Sequence, residues 1–190
     1  MKHSAPILVC LFKAPGIADG LSRCSISERL IMKFMLFLLS ITAVSVSASD
    51  LEDCTHAAGT YLSGKVMSPP TFKSGNYLEG IELSHTHLLL KADQDGKTYD
   101  VAIDNVFADG YDNAGESVPE PLAAIKIGTR LSLCGLPFPG GIHWVHTNCG
   151  EKPTRRHPNG WVKQLDAHNQ AGENLVGSQK YCKLWPTGHE

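Results

Sequence analysis

The stretch HTHLLLKADQDGKTYDVAIDN, residues 85–105, decides the fold class because it reads as two β-strands joined by a tight turn. Residues 97–105 alternate, with Tyr99, Val101 and Ile103 on one face and polar or small residues on the other, which is typical of a half-buried strand. Asp95 and Gly96 form a hairpin turn signal between this strand and one predicted over residues 80–91. The sequence therefore predicts a β-hairpin near its middle.

Further strand patterns flank this hairpin. They are predicted over residues 60–67, 130–134, 142–147 and 161–165, with an extended piece over residues 180–183 and one short helix over residues 121–127 that stops at Gly128. About five strands, with the helix between the third and fourth, favour a mostly β fold, a small OB-like barrel. A β-sandwich built from the same strands fits the pattern nearly as well.

Residues 32–48 have the layout of a secretory signal peptide. Lys33 precedes an apolar stretch over residues 36–44, and Val46, Ser47 and Ala48 supply a cleavage site of small residues. The stretch is shorter than the roughly 20 apolar residues of a transmembrane helix, so cleavage is favoured over a membrane anchor. We expect translation to start at Met32, with residues 1–31 a mis-annotated upstream extension. Residues 49–190 would form one domain, periplasmic or secreted.

The predicted mature domain is acidic, with 12 Lys and Arg against 17 Asp and Glu and hence a formal charge of −5. It lacks the basic field of nonspecific nucleic-acid binders, so the sequence has no strong nucleic-acid signature. The one basic cluster, around Arg155 and Arg156, is interpreted as a solvated loop. An acidic loop over residues 104–116 has the oxygen ligands of calcium sites without the spacing of an EF-hand, and is interpreted as a surface turn.

Four cysteines, Cys54, Cys134, Cys149 and Cys182, lie in the predicted mature domain. An even number in an oxidising compartment indicates two disulfides, for which three pairings exist. The favoured pairing joins Cys134 to Cys149 across the turn at residues 137–141, and Cys54 to Cys182 between the two ends. A zinc site is the alternative, but no pair has the short Cys-x-x-Cys spacing that structural zinc sites prefer.

Five of the nine histidines fall into two groups, His85 and His87, then His143, His146 and His157. The first two share one strand face, about 6.5 to 7 Å apart at Cα. His143 and His146 are three residues apart, so they can serve one site only if their strand bends or ends there. Converging imidazoles could bind a divalent metal or transfer protons. All five are therefore candidate catalytic residues, and His85, His87, His143 and His146 are candidate metal ligands.

Residues 142–162, IHWVHTNCGEKPTRRHPNGWV, resemble the signature of a bacterial family known as domain of unknown function number 3465. That signature has His-Trp-Thr-His, then His-Asp-Pro, then a later His followed by Gly-Trp. The resemblance falls on His143, Trp144, His146, His157, Gly160 and Trp161, and more loosely on His85 or His87, which precede a hydrophobic strand. This chain has Thr147-Asn148-Cys149 where the family tends to have His-Asp-Pro, so no role needing that carboxylate carries over. The resemblance implies a fold and a site location, not a reaction.

Two functions fit these residues. The first is a noncatalytic binding or interaction module, in which Trp144, Asn148, Trp161 and the histidines contact an oligosaccharide, an oligonucleotide or a partner protein. The second is a metal-assisted or histidine-dependent hydrolase of phosphodiesters or nucleic acid. The sequence has no Gly-x-Ser-x-Gly, phosphate-loop or His-Glu-x-x-His motif, which removes the commonest hydrolase, nucleotide-binding and metalloprotease signatures.

Overall fold

A computed structural model describes residues 47–184 and shows a mostly β architecture. The predicted upstream extension and nearly all of the predicted signal peptide lie outside the described residues. In chain order the elements are α1 (Ser47–His56), β1 (Thr60–Val66), β2 (Thr71–Lys73), β3 (Tyr77–Leu78), β4 (Ile81–Glu82), β5 (His85–Ala92), β6 (Thr98–Asp104), a 3-10 turn (Asn105–Phe107), α2 (Glu120–Ala123), β7 (Arg130–Phe138), β8 (Gly141–Val145), β9 (Trp161–Leu165), β10 (Ala171–Asn174) and a second 3-10 turn (Cys182–Leu184).

Five of these strands close into a barrel in the order β1-β5-β6-β8-β7, with β7 pairing back onto β1. The β6–β8 pair is parallel and the other pairs of the ring are antiparallel. The short helix α2 lies between β6 and β7, which are the third and fourth barrel strands in chain order. The prediction of a small OB-like barrel is confirmed, and the sandwich alternative is wrong because the β1–β7 pairing closes the five strands into a single ring.

Side chains from the central hairpin fill the interior of the barrel, on the side of each strand that the sequence pattern predicts. Val101 and Ile103 of β6 are fully buried, and Leu88 and Leu90 of β5 face the same core. Side chains between them on β5, such as Leu89, point outward. His85 and His87 share this outward face, with ring centroids 6.4 Å apart. The barrel wall therefore presents two imidazoles on its outer surface.

Several short elements differ from the predictions. The predicted strand over residues 80–91 is divided into β4 and β5, and the tail around Cys182 forms a 3-10 turn instead of an extended piece. Strands β2, β3, β4 and β10 have two to four residues, too few to show a period. Helix α1 was not predicted. Buried Asp50 holds it to the barrel, because it accepts hydrogen bonds from Ser132 Oγ at 2.9 Å and Lys163 Nζ at 2.8 Å.

The disulfides join Cys54 to Cys134 and Cys149 to Cys182, so both predicted pairings are wrong. Cys134 lies in the part of β7 that pairs with β1 and β9, beside helix α1 and away from the turn into β8. Cys149 follows the end of β8 and meets the C-terminal 3-10 turn. All four cysteines are used in these bonds, which also excludes the alternative of a zinc site built from cysteines.

Candidate functional site

A cavity of about 410 Å³ lies where the ends of β5 and β6 meet β8 and the loop that follows it. It brings together most of the predicted site residues: His85, His143, Trp144, His146, Asn148 and His157. It is also lined by residues that the sequence analysis did not place in a site, notably Asp104, Phe107 and Glu151. His85 and His143, which are 58 residues apart in the chain, thus line one cavity, as a shared site requires.

A β-bulge in β8 places His143 and His146 on the same cavity. Val101 pairs with Ile142 and Ile103 pairs with Val145, so β8 has one more residue than β6 between the two pairs. Trp144 lies in this bulge with φ of 55°, a left-handed conformation that bulky residues rarely adopt. The extra residue changes the alternation, and both histidines line the cavity despite their spacing of three. The bend that a shared site requires is therefore present.

Gly160 allows this bulge to pack closely. A Cβ atom there would lie 2.2 Å from the carbonyl oxygen of Trp144 and 2.7 Å from that of Cys134, so only glycine fits without a backbone shift. Holding Trp144 in its unusual conformation costs on the order of 1 to 3 kcal/mol, which the surrounding structure must supply. Such strain is concentrated at functional sites, and this position lies on the cavity wall.

His146 is the most deeply buried imidazole of the cavity. Its ring stacks on Phe107, with centroids 4.3 Å apart and planes within 4°, and its other neighbour is the Trp144 indole at 5.1 Å. Nδ1 lies 2.7 Å from the carbonyl oxygen of Thr147, which can only accept, so Nδ1 carries the hydrogen and Nε2 an unshared electron pair. Burial lowers the pKa of His146 to about 4. At neutral pH this imidazole is therefore uncharged.

Asp104, the last residue of β6, faces His146 across the cavity wall. Its Oδ1 accepts a hydrogen bond from the backbone N–H of Val106 at 3.2 Å and caps the 3-10 turn. Its Oδ2 lies 3.9 Å from Nε2 of His146. Burial raises the pKa of Asp104 to about 7, against the lowering effect of the bond from Val106. In the sequence Asp104 stands out only as the first residue of an acidic loop. The signal that links it to the site is its cross-strand pairing with His85.

His85 and His143 also line the cavity. Burial lowers the pKa of His85, and the neighbouring His87 and His143 lower it further. Burial also lowers the pKa of His143, whose ring meets Phe138 edge-on at 5.6 Å. Both rings line the main cavity and also a more open neighbouring cleft of about 370 Å³. The site therefore has several imidazoles whose uncharged form is favoured.

His87 belongs to the neighbouring cleft and not to the main cavity. Its Nδ1 lies 3.0 and 3.1 Å from the two carboxylate oxygens of Asp100, on the outer face of the barrel. The same cleft is lined by Ala102 and Phe138. The structure thus separates His87 from His146, while His85 and His143 contact both spaces.

His157 is the last of four aromatic rings that contact one another in series. Its exposed imidazole stacks on Trp144, with centroids 4.9 Å apart and planes within 13°, so the order is Phe107, His146, Trp144, His157. The indole Nε1 of Trp144 is buried and has no hydrogen-bond partner within residues 47–184. A buried unpaired donor is unusual and points to strain or a functional role. The unpaired donor belongs to Trp144, the residue that lies in the β-bulge.

Trp161 and Asn148 have other surroundings. Trp161 packs with Tyr61 and the Cys54–Cys134 disulfide on a separate part of the barrel, with Lys163 Nζ 4.4 Å above its ring, and it does not line the cavity. Asn148 does line the cavity, and its Nδ2 donates to the carbonyl of Glu151 at 2.9 Å. Asn148 thus supports the turn after β8.

No group of three or more His, Cys, Asp or Glu side chains within residues 47–184 is arranged to hold a metal ion. The metal-binding role of His85, His87, His143 and His146 stays a prediction. No protein-family model matches the sequence, and no curated protein matches it. The similarity to domain of unknown function number 3465 therefore rests on the motif in residues 142–162 alone.

Proposed function

We propose that this protein is a binding module that takes a small ligand, or a small part of a larger one, into the cavity formed by the histidines and Trp144. Sites for small molecules are commonly concave, about 300 to 1,000 Å³ in volume, and apolar with a few convergent polar groups. The cavity has this size and combines Phe107 and Trp144 with buried polar side chains. The observation that carries the proposal is the bulge at Trp144, which directs both His143 and His146 to one space.

We also infer that the protein works outside the cytoplasm, in the periplasm or the medium. Disulfides persist mainly in oxidising compartments, and this domain has two. Among residues 47–184, no helix has the length and apolar character needed to cross a bilayer. Cell fractionation with N-terminal sequencing tests this inference, and we expect the processed protein to start at Ser49. An unprocessed protein in the cytoplasm would contradict it.

A ligand screen with two matched tryptophan variants tests the binding function. Leu83 lines the cavity, whereas Leu89 is 41% exposed on the outer face and does not. We expect compounds from a panel of small aromatics, sugars and nucleotides to raise the melting temperature of the wild type. Leu83→Trp should abolish the effect by filling the cavity, and Leu89→Trp should keep it. Equal effects on both variants, or none on the wild type, would overturn the proposal.

A histidine-dependent hydrolase is the second candidate, because His85, His143 and His146 all have lowered pKa values and are uncharged bases at neutral pH. A positioned imidazole can take a proton from an attacking water. The test is hydrolysis of bis(p-nitrophenyl) phosphate and of nucleic acid, with and without divalent ions. Activity that disappears in the His143→Ala, His146→Ala double variant would favour the enzyme, as would bound metal that the variant loses. Absence of both in the wild type would leave only the binding module.

A further inference from the structure

We infer that Asp104 and His146 form a subsite for one hydroxyl group of the ligand, held between Oδ2 of Asp104 and Nε2 of His146. The inference rests on the proposed binding function and adds the chemical class of the ligand, which is an alcohol, a phenol or a sugar. Both side chains are at most about a tenth exposed, and both line the cavity. Nothing in the motif of residues 142–162 includes Asp104.

The distance between Oδ2 of Asp104 and Nε2 of His146 suits a bridging group. Oδ2 and Nε2 are 3.9 Å apart, which is too long for a direct hydrogen bond. An oxygen atom placed between them, off the line that joins them, can lie about 2.8 Å from each and make two good hydrogen bonds. The geometry thus suits a bridging group better than a direct pair.

Both side chains of the subsite have a fixed orientation. The bond to Thr147 holds the hydrogen of His146 on Nδ1, and contacts with the Phe107 and Trp144 rings restrict the movement of the imidazole. The N–H of Val106 holds Oδ1 of Asp104, which leaves Oδ2 directed elsewhere. Neither atom has to reorganise when a ligand arrives, and such preorganisation lowers the cost of binding.

The hydrogen-bonding roles of the two side chains are complementary to those of a hydroxyl group. Nε2 of the uncharged ring can only accept, so the bridging group must donate to it. Burial raises the pKa of Asp104 to about 7, so below that pH the carboxyl group holds a proton and can donate it from Oδ2. A hydroxyl accepts from one side and donates to the other, whereas a methyl group does neither and a carboxylate cannot donate.

Paired probes with and without a hydroxyl test the subsite. Phenol and toluene have similar shapes, as do cyclohexanol and methylcyclohexane, so the two pairs separate aromatic from aliphatic sources of the hydroxyl. The quantity measured is the ratio of dissociation constants within a pair, by NMR titration. We expect His146→Phe, which keeps the ring stack but removes Nε2, to lower the hydroxyl preference about tenfold.

Two substitutions of Asp104 separate the subsite from a structural role. In Asp104→Ser the hydroxyl can still cap the N–H of Val106 but nothing replaces Oδ2, so the preference should fall about tenfold. In Asp104→Asn the amide oxygen keeps the cap and the amide nitrogen donates in the place of Oδ2, so the preference should be retained. His168→Phe, in the exposed turn between β9 and β10, is the matched control and should leave the ratio unchanged.

The outcomes distinguish the two proposals. If no probe binds the wild type, both the cavity's binding role and the subsite are refuted. If all probes bind but the hydroxyl preference is the same in the wild type, Asp104→Ser and His146→Phe, the subsite is refuted and the binding function stands. Near-ultraviolet circular dichroism of each variant verifies the fold, and His146→Phe keeps the test valid should Asp104→Ser fail to fold.

Discussion

Replacing either member of the Asp104–His146 pair should reveal a pH dependence of stability that the wild type conceals. Between pH 4 and 6.5 the folded protein carries one proton on Asp104 and none on Nε2 of His146, because burial raises the first pKa to about 7 and lowers the second to about 4. The unfolded chain carries one proton as well, on the histidine. Equal numbers of bound protons give no slope from this pair.

Asp104→Asn removes the shifted carboxyl group and leaves only the pKa shift of His146. The pKa of His146 is 6.5 in the unfolded chain and about 4 in the folded one, so the unfolded state binds the extra proton in that window. Stability is then present above pH 6.5 and is lost as the pH falls towards 4. At 1.36 kcal/mol per pKa unit, the loss is about 3 kcal/mol.

His146→Phe exposes the opposite dependence. The pKa of Asp104 rises from 3.8 in the unfolded chain to about 7 in the folded protein, so the folded state binds the extra proton. The corresponding stability is fully present below pH 3.8 and is lost as the pH rises through 7. The same conversion gives about 4 kcal/mol. The two variants should therefore have slopes of opposite sign relative to the wild type.

Urea unfolding at pH 4, 5, 6 and 7, followed by tryptophan fluorescence with the disulfides intact, measures these slopes. His56→Gln is the control, because His56 is exposed and its Nε2 lies 3.8 Å from Glu52 Oε1 of the same helix. It should follow the wild-type profile. The reasoning is refuted if Asp104→Asn and His146→Phe both run parallel to the wild type, since burial would then not shift either group.

Three further outcomes are expected. Peptide mapping without reduction should link Cys54 to Cys134, and replacing both by Ser should lower the unfolding free energy by about 4 to 5 kcal/mol because they enclose 80 residues; an unchanged urea midpoint would contradict this. Gly160→Ala should destabilise the protein and weaken probe binding, whereas Gly172→Ala, whose Cβ would meet only one atom at 3.5 Å, should change little by the same assays. Phenol binding should weaken above pH 7 in the wild type as Asp104 loses its donor proton, but stay level in Asp104→Asn; identical NMR titration profiles would argue against the donor role. The other titratable groups lining the cavity are common to both proteins: His85, His143, His146, Glu151 and His157.

The central hairpin shows which structural features a local sequence pattern can predict. Alternation over residues 97–105 placed Val101 and Ile103 in the core, and the structure agrees. The same pattern could not pair Asp104 with His85, because that pairing depends on the register of the hairpin. Strand β5 ends at Ala92 and the turn occupies the four residues before Lys97, so the register is not that of a two-residue turn at Asp95 and Gly96.

What the sequence by itself determined was local: the strands of the barrel, the short helix before β7, and the oxidised state of four cysteines in a chain with an export pattern. Tertiary structure alone decided that Cys134 meets Cys54, that Trp161 packs away from the cavity, and that the bulge at Trp144 turns two histidines to one side. The physical reason is that hydrophobic period depends on neighbours a few residues away. Barrel closure, register and bulges instead depend on contacts between segments far apart in the chain.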